Sequence, residues 1–293
     1  MDRLHAMEVF VRVVEGGSLT AAAKALNVGQ PAVSKVVAAL EDQLGVVLLL
    51  RTARRMTPTD AGRHFYERAR LILDEADEAW GAARGEGAAL SGRLRVYAPV
   101  TFARLNMVPH IGEFMAEHRN LRVDLVLDDR SVDLIEENID VALRMGTLAD
   151  SALTARKIGS ADRMAVASPA YRERCGTPLV PADLAGHEAV IYAQEGQADE
   201  WRFRRGTSEV SVRLNSRLTV TAAEGLREAV LAGCGIGIVS RWMMGREIAA
   251  GTILPLLPNW QLPSIDLWAV FPAGRMASTR ARTFTDWFAN KIR

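Results

Sequence analysis

Glycines break the N-terminal part of this chain at short intervals: Gly16-Gly17, Gly29 and Gly45. Between the breaks apolar residues recur at helical spacing, so the segment can hold only short helices joined by tight turns. Leu4, Met7, Val9, Phe10, Val13 and Val14 give the first helix its apolar face, and "EGGS" stops it. Ser18 is placed to cap a second helix with Leu19, Ala22, Ala23 and Leu26 inward. Asn27-Val28-Gly29 is a three-residue turn. The third helix runs from Gln30 to Leu44, with Gly45 as a left-handed C-cap.

That third helix, within "NVGQPAVSKVVAALEDQLG", has two unlike faces. Val33, Val37, Leu40 and Leu44 fall on one side and face a core. Gln30, Pro31, Ser34, Lys35 and Ala38 fall on the other and contribute nothing to a core. The usual role of such a face is simple solvation. Three features shift the reading. A second helix and a three-residue turn precede it, a basic hairpin follows it, and its exposed first turn carries no large side chains except those able to hydrogen-bond bases. A helix about 10 to 12 Å across fits the major groove of B-DNA with its N-terminal residues at the bases. Gln suits adenine, Lys suits guanine and Ser suits either.

"VVLLL" then reads as a short strand, "RTARR" as a basic turn and "MTPT" as the returning strand of a hairpin wing. Arg51, Arg54 and Arg55 lie on that wing, placed to grip phosphates or the minor groove. Thr59 or Asp60 caps a long helix over 60 to about 88. Its Phe65, Ala69, Ile72, Ala76, Ala79 and Ala83 form a heptad-like seam that needs a partner helix. "GEGAALSG" is a flexible joint.

From Gly92 the texture becomes α/β. "RLRVYAPV" precedes a helix from about Ala103 to Glu117, "LRVDLVLD" precedes a helix starting near Ser131, and "DVALRMG" follows. The alternation predicts parallel strands with crossover helices. A second set from about Met164 includes "RMAVAS", "VSVRLNSRLTV", the helix "AAEGLREAVLAG" and "GIGIVS". "IDLWAVFP" and "STRARTFTDWFANKI" close the chain as strand and helix.

Bulk properties set bounds. The 293 residues allow two or three compact units. A net charge of +1 leaves any nucleic-acid signal to local patches. The N-terminus lacks a signal-peptide pattern and no apolar run reaches the roughly 20 residues of a membrane span, so a cytoplasmic location is expected. Cys175 and Cys234 are too far apart in sequence to form a disulfide framework.

The stretch "GGSLTAAAKALNVGQPAVSKVVAALEDQLGVVLLLRTARRMTPTDAG" closely resembles the winged helix-turn-helix of LysR-type transcriptional regulators. "LRVYAPVTFARLNMVPHIGEF" and "SPAYRERCGTPLVPADLAGH" resemble one large subgroup of that family. The resemblance covers essentially the whole chain. It implies an α/β protein with an N-terminal winged helix-turn-helix over 1–60, a linker and dimerisation helix over 61–90, and an effector-binding domain over 91–293. That domain is similar to type 2 periplasmic binding proteins: lobe I takes about 91–162 and 266–293, lobe II about 163–265. Gly29 stands where the family often has an N-capping Ser, and Leu49 where Phe is common. Gly at an N-cap costs a few tenths of a kcal/mol, and Leu for Phe is an apolar exchange, so helix and wing are both expected to survive.

What the resemblance implies is a sequence-specific transcriptional regulator controlled by a small molecule, expected to be an organic anion, bound between the lobes. The DNA-contacting set is Ser18, Thr20, Gln30, Pro31, Ser34, Lys35, Arg51, Arg54 and Arg55. For the effector, ligands in open α/β sheets sit beyond the carboxyl ends of strands. Pro99, Val100, Thr101 and Phe102 mark one such end, with Phe102 able to stack on an aromatic ligand. Arg130 and Ser131 mark a second, Thr221 a third, and Arg144 adds charge. Free N–H groups at helix starts favour anions, although Thr at a helix start is more often only a cap. The expected partners are promoter DNA with an inverted repeat, the effector, further copies of the chain as homodimer or homotetramer, and RNA polymerase. No membrane partner and no cofactor are expected.

Other signals were set aside. "GCGIGI" follows a helix and opens a strand, the reverse of a dinucleotide loop. The five histidines lack metal-ligand spacing, and "ASPA" and "VSRW" lack a nucleophile elbow. Cys234 reads as a small buried hydrophobe. Cys175, beside Arg172 and Arg174, raises a redox reading but has no resolving partner. The competing function is a cytoplasmic solute-binding protein or enzyme on the two-lobed domain; the winged head and the lack of a catalytic constellation oppose it. A structural DNA-coating protein would need a more basic chain.

Overall fold

The computed structural model describes residues 2–51, 56–83, 90–130, 132–135, 137–148, 154–193, 200–272 and 277–292. The chain divides into two compact units, Met1–Arg93 and Leu94–Arg293.

The first unit holds α1 (Arg3–Gly16), α2 (Leu19–Leu26), α3 (Gln30–Leu44), β1 (Leu49–Arg51), β2 (Met56–Pro58) and α4 (Asp60–Ala83). Local chemistry sets its boundaries. Ser18 Oγ accepts the Ala21 N–H at 3.1 Å and starts α2. Asn27 and Gly45 take positive φ and end α2 and α3. Thr59, not Asp60, caps α4: its Oγ1 accepts the Gly62 N–H at 2.9 Å and donates to the Val47 carbonyl at 2.8 Å. Val9, Phe10, Val13, Ala22, Val33, Val37 and Leu40 make the core.

Three details depart from the periodicity. On α1 the buried face includes Ala6 and Val11, while Leu4 is exposed. Leu44, expected inward, is exposed because α3 ends before its last turn reaches the core. Of "VVLLL" only Leu49 and Leu50 are strand, and Val46 and Val47 are exposed. The α4 seam is divided. Phe65 packs on Phe10 at 5.3 Å between ring centroids and Ala69 is buried, but Ile72 and Ala79 face outward.

β3 (Gly92–Ala98) starts at the boundary and leads into the second unit. A helix then runs from α5 (Val100–Phe102) through a π-helical stretch, Ala103–Met107, into α6 (Val108–Glu117). Next come β4 (Leu121–Leu127), β5 (Val141–Met145), β6 (Thr154–Ala161), β7 (Arg163–Ala167), α7 (Pro169–Cys175), β8 (Glu188–Tyr192), β9 (Glu200–Arg205), β10 (Ser208–Arg213) and β11 (Asn215–Val220). α8 (Ala223–Leu231), β12 (Gly237–Ser240), α9 (Arg241–Ala249), β13 (Leu254–Pro255), β14 (Ile265–Phe271) and α10 (Thr279–Lys291) complete it.

The first lobe is a five-stranded sheet in the order β4-β3-β5-β14-β6. Phe114, Phe284 and Phe288 pack in its helical layer. The second lobe contains the antiparallel set β12-β7-β13, the parallel pair β8–β11 and the hairpin β9–β10.

An all-parallel sheet with crossover helices does not form. β3 and β5 are parallel, but β14 runs antiparallel to both β5 and β6. The cause is the double crossing. β6 carries the chain out of the first lobe through Asp162, and β14 brings it back after Ser264, so the two run in opposite directions. The helix expected near Ser131 is also absent among the described residues, and Ser131 itself lies outside them. Asp133 Oδ1 accepts the Ile135 N–H at 2.7 Å, and Asn138 at φ 52° turns the chain into β5 after a single turn.

Candidate nucleic-acid interface and ligand cleft

In the first unit, α3 buries Val33, Val37 and Leu40 and leaves Gln30, Pro31, Lys35 and Ala38 exposed, with Ser34 half-buried. Gly29 supplies no side-chain cap, but its carbonyl takes the Ala32 and Val33 N–H groups at 3.0 and 3.4 Å, and Pro31 has no N–H to satisfy. Among the described residues Lys35 has no ion-pair partner. Ser18 commits its oxygen to the α2 cap, and Thr20 is exposed.

β1 and β2 pair antiparallel with Arg51 opposite Met56, so Arg51 ends the first wing strand. Its side chain, and Arg54 and Arg55, lie outside what is described. One residue that positions the wing escaped sequence reasoning. Glu41 Oε1 accepts the Leu48 and Leu49 N–H groups at 2.7 and 3.0 Å, tying the wing's entry strand to α3. The signal was a lone acidic residue on an otherwise apolar or small helix face near its C-terminus, where a carboxylate is unfavourable to the helix dipole.

In the second unit a cleft of about 980 Å³ lies between the lobes, against both crossing points. Pro99, Thr101, Phe102, Arg130 and Arg144 are on its wall, whereas Val100 and Thr221 are not. Thr221 is exposed, one residue before the α8 N-cap Ala222. Phe102 is buried edge-to-face against Trp242 and Phe288, at 5.6 and 6.1 Å between centroids, so its faces serve the core. The helix start at Val100 is already occupied: Asp129 Oδ1 accepts the Val100 N–H at 3.0 Å. Arg130 closes onto Asp128 at 2.8 Å, and this pairing holds the Asp128 carboxyl down to a pKa of about 2.

Residues that the strand-end rule did not find also line the cleft. Arg163, at the outgoing crossing, donates from Nε to the Pro263 carbonyl, just before the returning strand β14, at 2.7 Å. Burial lowers its pKa. Trp242 enters from the start of α9, and Trp268 from β14 with its indole N–H on the Gly146 carbonyl at 2.9 Å. Cys234, expected buried, is exposed, because α8 ends at Leu231 and Cys234 falls in the turn after it; Cys175 is exposed too.

A helix-turn-helix with an uncapped, exposed reading turn, on a chain that also carries a two-lobed ligand cleft, defines a ligand-responsive DNA-binding regulator. Comparison with known proteins gives the family. Residues 4–63 match the bacterial regulatory helix-turn-helix protein model of the lysR family, and residues 87–293 match the LysR substrate binding domain. The chain belongs to the LysR family of transcriptional regulators. It is 34% identical over 283 residues to the HTH-type transcriptional regulator PtxR of Pseudomonas aeruginosa, covering 97% of this chain and 91% of that one. An HTH-type transcriptional regulator of Haemophilus influenzae is 33% identical over 275 residues, 94% of this chain and 96% of its own. Among solved structures, CrgA of Neisseria meningitidis superposes with a TM-score of 0.64 at 31% identity over 98% of both chains. AphB of Vibrio cholerae gives 0.59 at 27% identity, over 98% and 99%. LysR regulators bind DNA and small-molecule effectors and form oligomers. Among the described residues no helix is long and apolar enough to cross a membrane.

Proposed function

We propose that this regulator reads an inverted repeat through two copies of α3, with Gln30, Ser34 and Lys35 at base edges. Pro31, Ser18, Thr20 and the arginines Arg51, Arg54 and Arg55 lie along the backbone. The observation carrying this reading is the exposed first turn of α3, where Gln30, Pro31 and Lys35 face outward and Lys35 has no ion-pair partner among the described residues. The outward half of α4, with Ile72 and Trp80 exposed, is the surface through which copies pair. The protein works in the cytoplasm and meets RNA polymerase at its promoters.

The cleft works by binding and not by turnover. An organic anion enters it, and its differential affinity for two lobe arrangements shifts the DNA-bound population. Pro99, Thr101, Arg130 and Arg144 are its proposed contacts, with Val100, Phe102, Ser131 and Thr221 as the strand-end positions around them.

Selection of bound duplexes from a random DNA pool tests the first part. Enrichment of an inverted repeat with half-sites about one helical turn apart is the expected result. Binding without enrichment that vanishes at moderate salt would overturn it.

A further inference from the structure

The acidic groups on the cleft wall are all engaged. Asp128 pairs with Arg130, Asp129 accepts the Val100 N–H, and Asp266 Oδ1 meets Lys157 Nζ at 2.7 Å and Ser160 Oγ at 2.8 Å. Glu200 faces Arg202 at 3.9 Å. Two guanidinium groups on the same wall meet only backbone carbonyls among the described residues: Arg163 on Pro263 at 2.7 Å, and Arg144 on Val132 at 3.4 Å. Each guanidinium carries five donors, so most remain unused. A partly desolvated cation with no counter-charge is unfavourable unless an anion joins it.

The rest of the wall mixes aliphatic side chains, among them Leu143, Val190, Leu226 and Ile238, with aromatic ones. Tyr97, Tyr192, Trp201, Trp242 and Trp268 line the cleft. They are five of the ten tryptophans and tyrosines in the chain; Tyr97 and Trp201 are buried in the cores beneath the wall, while Tyr192, Trp242 and Trp268 are half-buried. The Tyr97 hydroxyl donates to the Arg130 carbonyl and the Trp268 indole N–H to the Gly146 carbonyl. With its polar atom engaged by the backbone, the half-buried Trp268 ring has π-surface and few further hydrogen bonds to offer a ligand.

We propose that the cleft selects an aromatic carboxylate, with Arg163 as its principal anchor, Arg144 as the second cation and the Trp and Tyr wall packing its ring. This rests on the cleft being the effector site and specifies the ligand's chemistry. The anchor lies at the crossing between the lobes, not at a helix start, because Asp129 already fills the Val100 helix start. Arg163 links the outgoing strand to the segment just before the returning one, so an anion drawn to it acts on both at once.

The test uses the full-length protein, titrated by calorimetry with benzoate, cyclohexanecarboxylate, benzamide and succinate. Benzoate should bind, and cyclohexanecarboxylate and benzamide should each bind about tenfold more weakly, having lost the ring or the charge. Arg163→Gln should weaken benzoate by a similar factor of about ten. Because Arg163 also holds Pro263, Arg144→Gln is run in parallel as a variant outside the crossing, and Arg163→Lys should recover part of the loss. Succinate outcompeting benzoate, or no binding by benzoate at millimolar concentration, would overturn the aromatic assignment. In the first case the effector cleft would stand if Arg163→Gln abolished succinate binding. Benzoate binding untouched by both arginine substitutions would place it elsewhere and overturn the anchor and the cleft reading together.

Discussion

Arg104 Nη2 and Glu224 Oε1 meet at 2.6 Å, joining the π-helical stretch of the first lobe to the first turn of α8 in the second. Two further contacts run beside them. Asn106 Nδ2 donates to the Trp242 carbonyl at 3.1 Å, and Trp242 packs on Phe102. A π-bulge displaces the residues after it around the helix axis, and such bulges recur at functional sites. Here Arg104 and Asn106 of that stretch reach Glu224 and the Trp242 carbonyl of the opposite lobe.

Arg104→Ala should therefore loosen the lobes more than it destabilises the fold. Both partners are 40 to 49% exposed, so the pair is worth no more than about 1 kcal/mol. Hydrogen exchange should speed up in residues 100–107 and 222–226 while the sheets stay protected. Unchanged exchange in those segments would remove the latch role.

The same pair has a pH signature. Burial pushes the Glu224 pKa up, but Arg104, the neighbouring Thr101 and Arg227 outweigh it and hold the carboxyl below the ordinary value of 4.5. Neither Thr101 Oγ1 nor Glu224 Oε2 completes a hydrogen bond, so Arg104 is the direct partner. A lowered folded pKa means stabilisation that is present above pH 4.5 and lost as pH falls through the lower folded value. Acid titration should open the latch only below that point, and Arg104→Ala should make exchange in both segments insensitive to acid there.

Asp128 gives a second titration. Arg130 holds it at a pKa of about 2, so the pair persists far into acid. Its contribution is complete above the ordinary aspartate value of 3.8 and fades as pH falls through about 2. Carboxyl-carbon NMR should find the Asp128 midpoint near 2, and Arg130→Gln should return it to the ordinary range. A midpoint already near 3.8 in the wild type would show that the pair is not formed in solution.

Gly62 and Gly112, both helical, should respond oppositely to alanine. A Cβ on Gly62 would stand 2.0 Å from the Leu48 carbonyl oxygen, a backbone atom held by the wing. Gly62→Ala should cost about 3 kcal/mol or more, at or beyond the upper end for overpacking. A Cβ on Gly112 meets nothing within 4 Å. Gly112→Ala should raise stability by about 1 kcal/mol through helix propensity. Denaturant melts of the two variants decide this, and equal effects would contradict the packing of α4 on the wing.

On the DNA side, Lys35→Ala should lose about 1–3 kcal/mol and relax base preference at one position. Arg54→Ala should weaken all sequences alike and lower the salt slope by about one unit. Quantitative binding to the selected site and to single-base variants, at several salt concentrations, separates the two. A uniform loss in both would remove the division between reading helix and gripping wing.

Local signals carried much of this molecule. Ser18 and Gly45 act through bonds and dihedral angles within a few residues of themselves, so those helix limits were legible from residue type, whereas the choice of Thr59 over Asp60 also rests on its bond to the distant Val47 carbonyl. The two faces of α3 followed from helical spacing in the same way, and with the quoted motifs they pointed to the family. The cleft was legible only as strand ends. Pro99, Thr101, Phe102, Arg130 and Arg144 lie on its wall, but Val100 and Thr221 do not.

What tertiary structure alone decided depends on residues far apart in the chain. Arg104 meets Glu224 across 120 positions, Asp129 caps a helix 29 positions before it, and Arg163 grips Pro263 across 100. Strand direction belongs here too, since β14 runs antiparallel only because the chain leaves the first lobe and returns. Hydrophobic period and capping are properties of a single element, so sequence by itself determined the N-terminal helices, the two faces of α3 and the family. Which carboxylates are already neutralised, and which guanidinium groups are left for a ligand, is settled only when separate elements pack, because charge compensation acts through space and not along the chain.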